Sequence, residues 1–182
     1  HKFRKDSIIE IGDKTLVGDS ILTKMLYERQ LCGQYNDDKL YALRDIIEST
    51  SERLIIFYNF DAELNQLKTI ADELQRPHCE INGHKKDLEA YEKYNDSLTF
   101  VQYQSGAMGL NLQKANKIIY FTLPLSSELF EQSKKRIHRI GQNSTCFYYI
   151  LLCKNSIEER IYETLQMRKD YTDYLFAEDI AR

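Results

Sequence analysis

Short apolar runs alternate along the chain with longer stretches in which apolar residues recur every three or four positions. The runs are "RLIIFYN" (53–59), "HCEIN" (78–82), "LTFVQY" (98–103), "KIIYFTL" (117–123) and "TCFYYILLC" (145–153). Their β-branched and aromatic content marks them as strands. Several are apolar at consecutive positions, as strands covered on both faces must be. The intervening spacing predicts helices over 61–75, 84–95 and 126–139, two more over 17–32 and 38–50, and a last one over 156–176. Asp61 is the expected cap of the first of these, and Ser126 or Ser127 that of the third, where Glu128 and Glu131 suit the positive end of the helix dipole. Ser156 with Glu159 three residues on forms a capping box, and Ile157, Ile161 and Leu165 then share one face. Strands alternating with helices imply an α/β fold, three-layered around a mainly parallel central sheet. A boundary near 52 separates a helical lead-in (1–51) from the core (52–155), with a C-terminal helix (156–182) packing back on it.

Composition narrows the class. The 182 residues are 42% hydrophobic and 29% charged, the balance of a globular domain, which excludes disorder. A formal net charge of -3 argues against a surface that grips nucleic acid everywhere, so anion binding must be local. No apolar run reaches the roughly 20 residues that span a bilayer, so no membrane partner is expected. Cys32, Cys79, Cys146 and Cys153 form no CxxC pair and follow no signal segment. They read as reduced, mostly buried thiols of an intracellular, cytoplasmic protein. His78, Cys79 and His84 lie close together but lack the paired spacing of a ligand set, and no metal site is expected. The chain begins without Met and in mid-pattern, as a piece of something longer would.

Two stretches carry candidate chemistry. "SGAMGLNL" (105–112) follows a strand directly, so Gly106 and Gly109 fall where a parallel sheet opens its carboxyl edge to ligands. Glycines there let backbone N–H groups approach a phosphate, although such a turn is more often only a turn. "QSKKRIHRIGQ" (132–142) sets four Lys or Arg and one His between two Gln without an acid. On a helix Arg136 and Arg139 share a face, as do Gln132 and Arg136. Paired guanidinium groups suit phosphoryl oxygens, whereas Lys134 and Lys135 fit a merely solvated basic face.

Together these stretches resemble the second RecA-like domain of superfamily 2 helicases, and within it the Swi/Snf-related DNA translocases. "LIIFYNF" looks like helicase motif IV, "SGAMGLNL" like motif V, and "QSKKRIHRIGQ" is close to the motif VI pattern QxxxRxHRIGQ. "DKLYALRDII", "INGH" and "NSIEERIYETLQMRK" extend the resemblance over roughly 15–175. It implies that Arg139 is an arginine finger reaching an ATP γ-phosphate across an interdomain cleft, with Arg136 supporting the same phosphate. Gln132 matches the motif VI Gln, and Gly106, Gly109 and Asn111 match the motif V turn that links nucleotide to DNA. Tyr58, Asn59 and Ser105 fall where the family meets the DNA backbone.

The chain also departs from that pattern. Ala107 replaces the second motif V glycine, and Gln102 and Tyr103 replace an upstream Ser or Thr pair, which weakens the backbone contacts expected there. "LPLSSE" (123–128) resembles the shorter version found in small bacterial and phage members, implying a bacterial cytoplasm or an infected host. No GxxxxGK[ST] occurs, and "GDKT" (12–15) does not supply one. The resemblance therefore implies the C-terminal half of an ATP-dependent motor on double-stranded DNA. ATP and Mg²⁺ would be bound mainly by an N-terminal RecA-like domain of the same polypeptide, and this piece alone would be inactive. A non-catalytic RecA-like module binding nucleic acid or protein is the alternative. A dinucleotide enzyme is disfavoured because no G-x-G-x-x-G follows the first strand.

Overall fold

The computed structural model describes residues 8–11, 14–106 and 109–181. A short antiparallel hairpin of β1 (Ile8–Ile11) and β2 (Lys14–Val17) leads into α1 (Ile21–Cys32) and α2 (Asp37–Glu48). Then follow β3 (Leu54–Tyr58), α3 (Asp61–Glu73), β4 (His78–Ile81), α4 (Glu89–Lys93), β5 (Leu98–Gln102) and α5 (Tyr103–Gly106). The chain continues through β6 (Lys117–Tyr120), α6 (Ser127–Lys134), β7 (Phe147–Ile150), α7 (Ile157–Gln166) and α8 (Asp173–Ala181). Five strands form one sheet in the order β4-β5-β3-β6-β7, and every pairing is parallel.

Alternation along the central strand splits the core into two layers. Leu54, Ile56 and Tyr58 face α2 and α3, packing with Leu43, Ile47, Leu64 and Leu67. Ile55 and Phe57 face the other way, toward Met25 of α1, Phe130 of α6, Ile161 and Leu165 of α7 and Phe176 of α8. All five β3 residues are buried, which is why the strand reads as a continuous apolar run. This is the three-layer α/β architecture that the sequence predicts. On the second face the rings of Phe57, Tyr103, Tyr120 and Phe130 form a chain of contacts with centroids 5.0 to 5.7 Å apart.

Several predicted elements change in extent. The hairpin replaces the start of the helix expected from 17, and the helix begins only after Ser20, whose hydroxyl accepts from the Thr23 amide. Asp61 is not the cap of α3: the Glu63 carboxylate accepts from the amides of Asn59 and Phe60 and closes that end. The helix expected over 84–95 shrinks to α4, because Asn82 captures the amides of His84 and Lys85 and bends the preceding residues into a turn. Ser126 caps α6 as expected, but the helix ends at Lys134, so Glu131 lies near its C-terminal end and pairs with Lys134. The terminal helix breaks after Gln166, where Arg168 takes a positive φ of 58° and the Lys169 amide returns to the Thr164 carbonyl. That left-handed C-cap turns the chain so that Asp170 accepts from the Ser127 amide. Ile157, Ile161 and Leu165 are buried on one face, as are Tyr171 and Phe176 beyond the break, whereas Tyr174 is exposed.

Past the end of β7, Lys39 of α2 and Glu158 of α7 form a buried ion pair at 2.5 Å, with both side chains 3% exposed. Removing one member leaves a charge without a counterion or water. Lys39→Ala is therefore expected to cost about 3–5 kcal/mol in urea unfolding. The double substitution Lys39→Met with Glu158→Leu should cost less than half of that, and equal losses would contradict a desolvated pair.

Candidate functional site

The basic stretch folds into the end of α6 and the turns that follow it. Because α6 stops at Lys134, Arg136 and Arg139 do not share a helix face. Successive turns bring them together instead: the Arg136 amide bonds to the Ser133 carbonyl, that of His138 to Lys134, and that of Arg139 to Ile137. Both guanidinium groups converge on the Leu110 carbonyl, at 3.5 Å from Arg136 and 3.4 Å from Arg139. Arg136 is 9% exposed and Arg139 is exposed. Burial, together with the nearby Arg139 charge, pulls the Arg136 guanidinium below its ordinary pKa. Among the described residues, no carboxylate pairs with either arginine. With Gln132, Lys135, His138 and Ile140 they line an open groove of about 680 Å³. Gln132 is fixed by donating to Glu128 at 2.8 Å, and Ile140 stands fully exposed.

The connection from β5 to β6 forms one unit with these turns. The Leu112 amide donates to the Arg136 carbonyl at 3.0 Å. Gln142 donates to the carbonyls of Gln113, Ala115 and Ile137 at 3.1, 2.9 and 3.3 Å. Gly109 and Gly141 have φ of 71° and 97°, the left-handed region that glycine tolerates and other residues pay strain to enter. Asn111 is exposed, and its side chain accepts from the Gln113 amide. Gly106 closes α5; Ala107, with its departure from the expected glycine, lies outside the described residues, as do Gly12 and Asp13 of "GDKT".

A second recess opens at the carboxyl ends of β3 and β5. Its volume is about 350 Å³, and Arg29, Asn59, Gln102, Gln104 and Ser126 supply its polar lining. Asn59 donates to Thr122 Oγ1 at 2.9 Å and to the Leu123 carbonyl at 3.0 Å, while Gln102 donates to the Asn59 carbonyl at 3.1 Å. The residues that replace the expected Ser or Thr pair thus tie two strand ends together, and the Tyr103 hydroxyl adds a bond to the Thr122 carbonyl at 2.7 Å. Arg29 reaches over the Phe60 ring and donates to the Leu123 carbonyl at 3.2 Å. Beneath lies Glu63, fully buried, whose carboxyl is pushed up by burial against three hydrogen bonds that favour its charged form. A Cβ at position 33 would press on Glu63 Oε1 and Thr122 Cγ2, so any larger residue there would have to displace the buried carboxylate. Ser105 is half-buried in α5 near this recess, whereas Tyr58 is fully enclosed in the layer facing α2 and α3.

A family model described as the helicase conserved C-terminal domain matches residues 38–141, from α2 through the arginine turns. The chain belongs to that family. An uncharacterised ATP-dependent helicase of Mycoplasma pneumoniae is 26% identical over 96% of this chain. The DNA repair and recombination protein RDH54 of Saccharomyces cerevisiae is 27% identical over 78% of it. The ISWI chromatin-remodeling complex ATPase ISW1 of the same yeast is 30% identical over 75% of it. The chain spans 18%, 16% and 13% of those three proteins. A crystal structure of the C-terminal part of the Fun30 ATPase domain superposes with a TM-score of 0.67 at 22% identity, covering 78% of this chain and 52% of that one. That likeness shows the RecA-like fold.

In this helicase C-terminal domain the structure brings Arg136, Arg139 and Gln132 together in one groove and links them through Leu110 and Leu112 to the segment after Gly109. Asn59 lines the other recess, whereas Ser105 follows its lining residue Gln104 in α5 without lining it. Sequence reasoning passed over Gln142, Arg29 and Glu63. Gln142 was visible as the last letter of the basic motif, but its bonds to carbonyls up to 29 residues away exist only once the loops meet. Arg29 lies outside both motifs, and no local pattern singles it out. Gln142→Ala would leave three carbonyls without their donor and is expected to destabilise the domain by about 1–3 kcal/mol, read by urea unfolding. An unchanged midpoint would show that water replaces the side chain without loss.

Proposed function

We propose that this domain supplies the arginine half of a split ATP site in a motor that translocates on double-stranded DNA. One observation supports this reading above the others: two guanidinium groups converge on a single backbone carbonyl, and no carboxylate among the described residues neutralises either. Such a pair is poised for an anion of high charge density. Phosphoryl transfer spreads negative charge over equatorial oxygens, and fixed guanidinium groups stabilise it without reorganising.

In this reading Arg139, the exposed member, is the arginine finger on the γ-phosphate. Arg136, buried behind it, holds its charge in place and supports the same phosphate. Gln132 fixes the α6 side of the groove, and the Gly106, Gly109 and Asn111 segment transmits its position toward the strand ends. Among the described residues no carboxylate lines the groove, and in this reading Mg²⁺ and most of the nucleotide would be held by an N-terminal RecA-like domain of the same polypeptide. ATP would draw the two domains together, and hydrolysis would release them. Asn59 and Ser105 would meet DNA phosphates at the strand ends, with buried Tyr58 only supporting that edge; such contacts carry little sequence preference. The names of the yeast relatives, one in DNA repair and recombination and one in chromatin remodelling, support a duplex DNA track.

In the intact protein, Arg139→Ala is expected to lower DNA-stimulated ATP hydrolysis by about 10³-fold or more while DNA binding stays within a few-fold of the parent. Steady-state hydrolysis with and without duplex DNA measures the first, and a filter or anisotropy titration the second. Retained turnover would overturn the arginine-finger role.

A further inference from the structure

At the C-terminal end of α1, a second cluster of reactive groups plays no part in the proposed ATP or DNA contacts. The sulfur atoms of Cys32 and Cys153 and a carboxylate oxygen of Glu158 lie within 4.8 Å of one another, although the two cysteines are 121 residues apart. Cys32 ends α1, and Cys153 follows β7 in a segment without regular structure. The Cys153 thiol donates to the Cys32 carbonyl at 3.2 Å, and the Asn36 amide donates to the Cys153 sulfur at 2.9 Å. Cys32 is 8% exposed. Cys153 is half-buried and opens into a cavity of about 500 Å³ that Asn36, Lys39 and Leu152 also line.

We propose that Cys153 and Cys32 form an oxidisable dithiol, in which Cys153 reacts first with a hydroperoxide and Cys32 resolves it to a disulfide. Cys153 has what a reactive thiol needs: a route to solvent, an amide donor on its sulfur and the Lys39 ammonium nearby. Cys32 is enclosed at the end of α1, whereas Cys153 faces the cavity, and the Glu158 carboxylate stands beside both sulfurs. The two sulfurs therefore differ in role, one an accessible nucleophile and the other an enclosed resolving group.

The chemistry balances in two steps. The Cys153 thiol gives up its proton and the thiolate attacks an oxygen of hydrogen peroxide; the O–O bond breaks, sulfenic acid forms, and the departing hydroxide takes up that proton as water. The Cys32 sulfur then attacks the Cys153 sulfur, its proton leaves with the departing hydroxyl as water, and the S–S bond closes. Two thiols are oxidised while one peroxide is reduced to two waters. Closing to the roughly 2.05 Å of an S–S bond brings together two sulfurs that already lie within 4.8 Å of one another. The bond ties the end of α1, the helix that carries Arg29, to the connection between β7 and α7.

A metal fits the same atoms less well. Glu158 Oε1 is held by Lys39 at 2.5 Å and Oε2 accepts from the Cys153 amide at 2.9 Å, so both oxygens are engaged and a cation stands beside them.

The test treats the intact protein with hydrogen peroxide, quenches with an alkylating reagent under denaturing conditions and maps the peptides. Cys32 and Cys153 should be recovered as one cross-linked pair that a thiol reductant releases, while Cys79 and Cys146 stay alkylated. In Cys32→Ser, Cys153 should instead be trapped as a dimedone adduct, forming about tenfold faster than any adduct at Cys146. Cys153→Ser should leave Cys32 unoxidised; should that variant fail to fold, the dimedone result decides alone. Oxidation of Cys153 no faster than Cys146, or no cross-link in the parent, would overturn the proposal. So would stoichiometric zinc in the purified protein that shields both thiols.

Discussion

Covering both faces of a parallel sheet confines polar chemistry to the connections, and the rest of this structure follows from that constraint. Every residue of β3 is buried, and alternate side chains belong to separate apolar layers. A polar group placed on either face loses water and must find a partner there, as the Tyr120 hydroxyl does in Ser133. The groups able to hold anions are accordingly found where strands and helices end. Arg136 and Arg139 lie beyond α6, and Asn59 and Gln102 lie at the tips of β3 and β5. Where charge does enter the interior it comes compensated, as in the Lys39 and Glu158 pair or in Glu63 with its two backbone donors.

The same constraint explains why the connections must be fastened. An arginine pair on a free turn would spread over many positions and lose most of its electrostatic value. Here the Leu112 amide and the Gln142 side chain lace the turns after α6 to the connection before β6, so the two guanidinium groups stay within reach of one carbonyl. Mutual repulsion between them is offset by that carbonyl, and an arriving phosphate would relieve it further.

The sheet was legible because its strands are continuous apolar runs, and all five predicted strands of the central sheet are present. Helix ends were less legible, since they depend on which side chain captures a backbone amide first. Asn82 ends one predicted helix before it starts, Glu63 takes the capping role expected of Asp61, and a left-handed Arg168 divides the last helix in two. The motif residues Arg136 and Arg139 were found from the sequence, but the geometry that unites them was not, because α6 ends before either is reached. Arg29 and Glu63 could not be found at all: their significance comes from α1 and α3 meeting at the strand ends. The Cys32 and Cys153 pair was hidden likewise, by a separation of 121 residues.

The central claim is that the paired arginines wait for a phosphate carried by another domain. It is tested most directly by a structure of the intact protein with duplex DNA and an ADP–metal fluoride mimic of the transferring phosphate. The account predicts the Arg139 guanidinium within hydrogen-bonding distance of the fluoride group, Arg136 directly behind it, and the groove closed against the nucleotide-bearing domain. A nucleotide fully bound and closed over while both arginines still face solvent would contradict it.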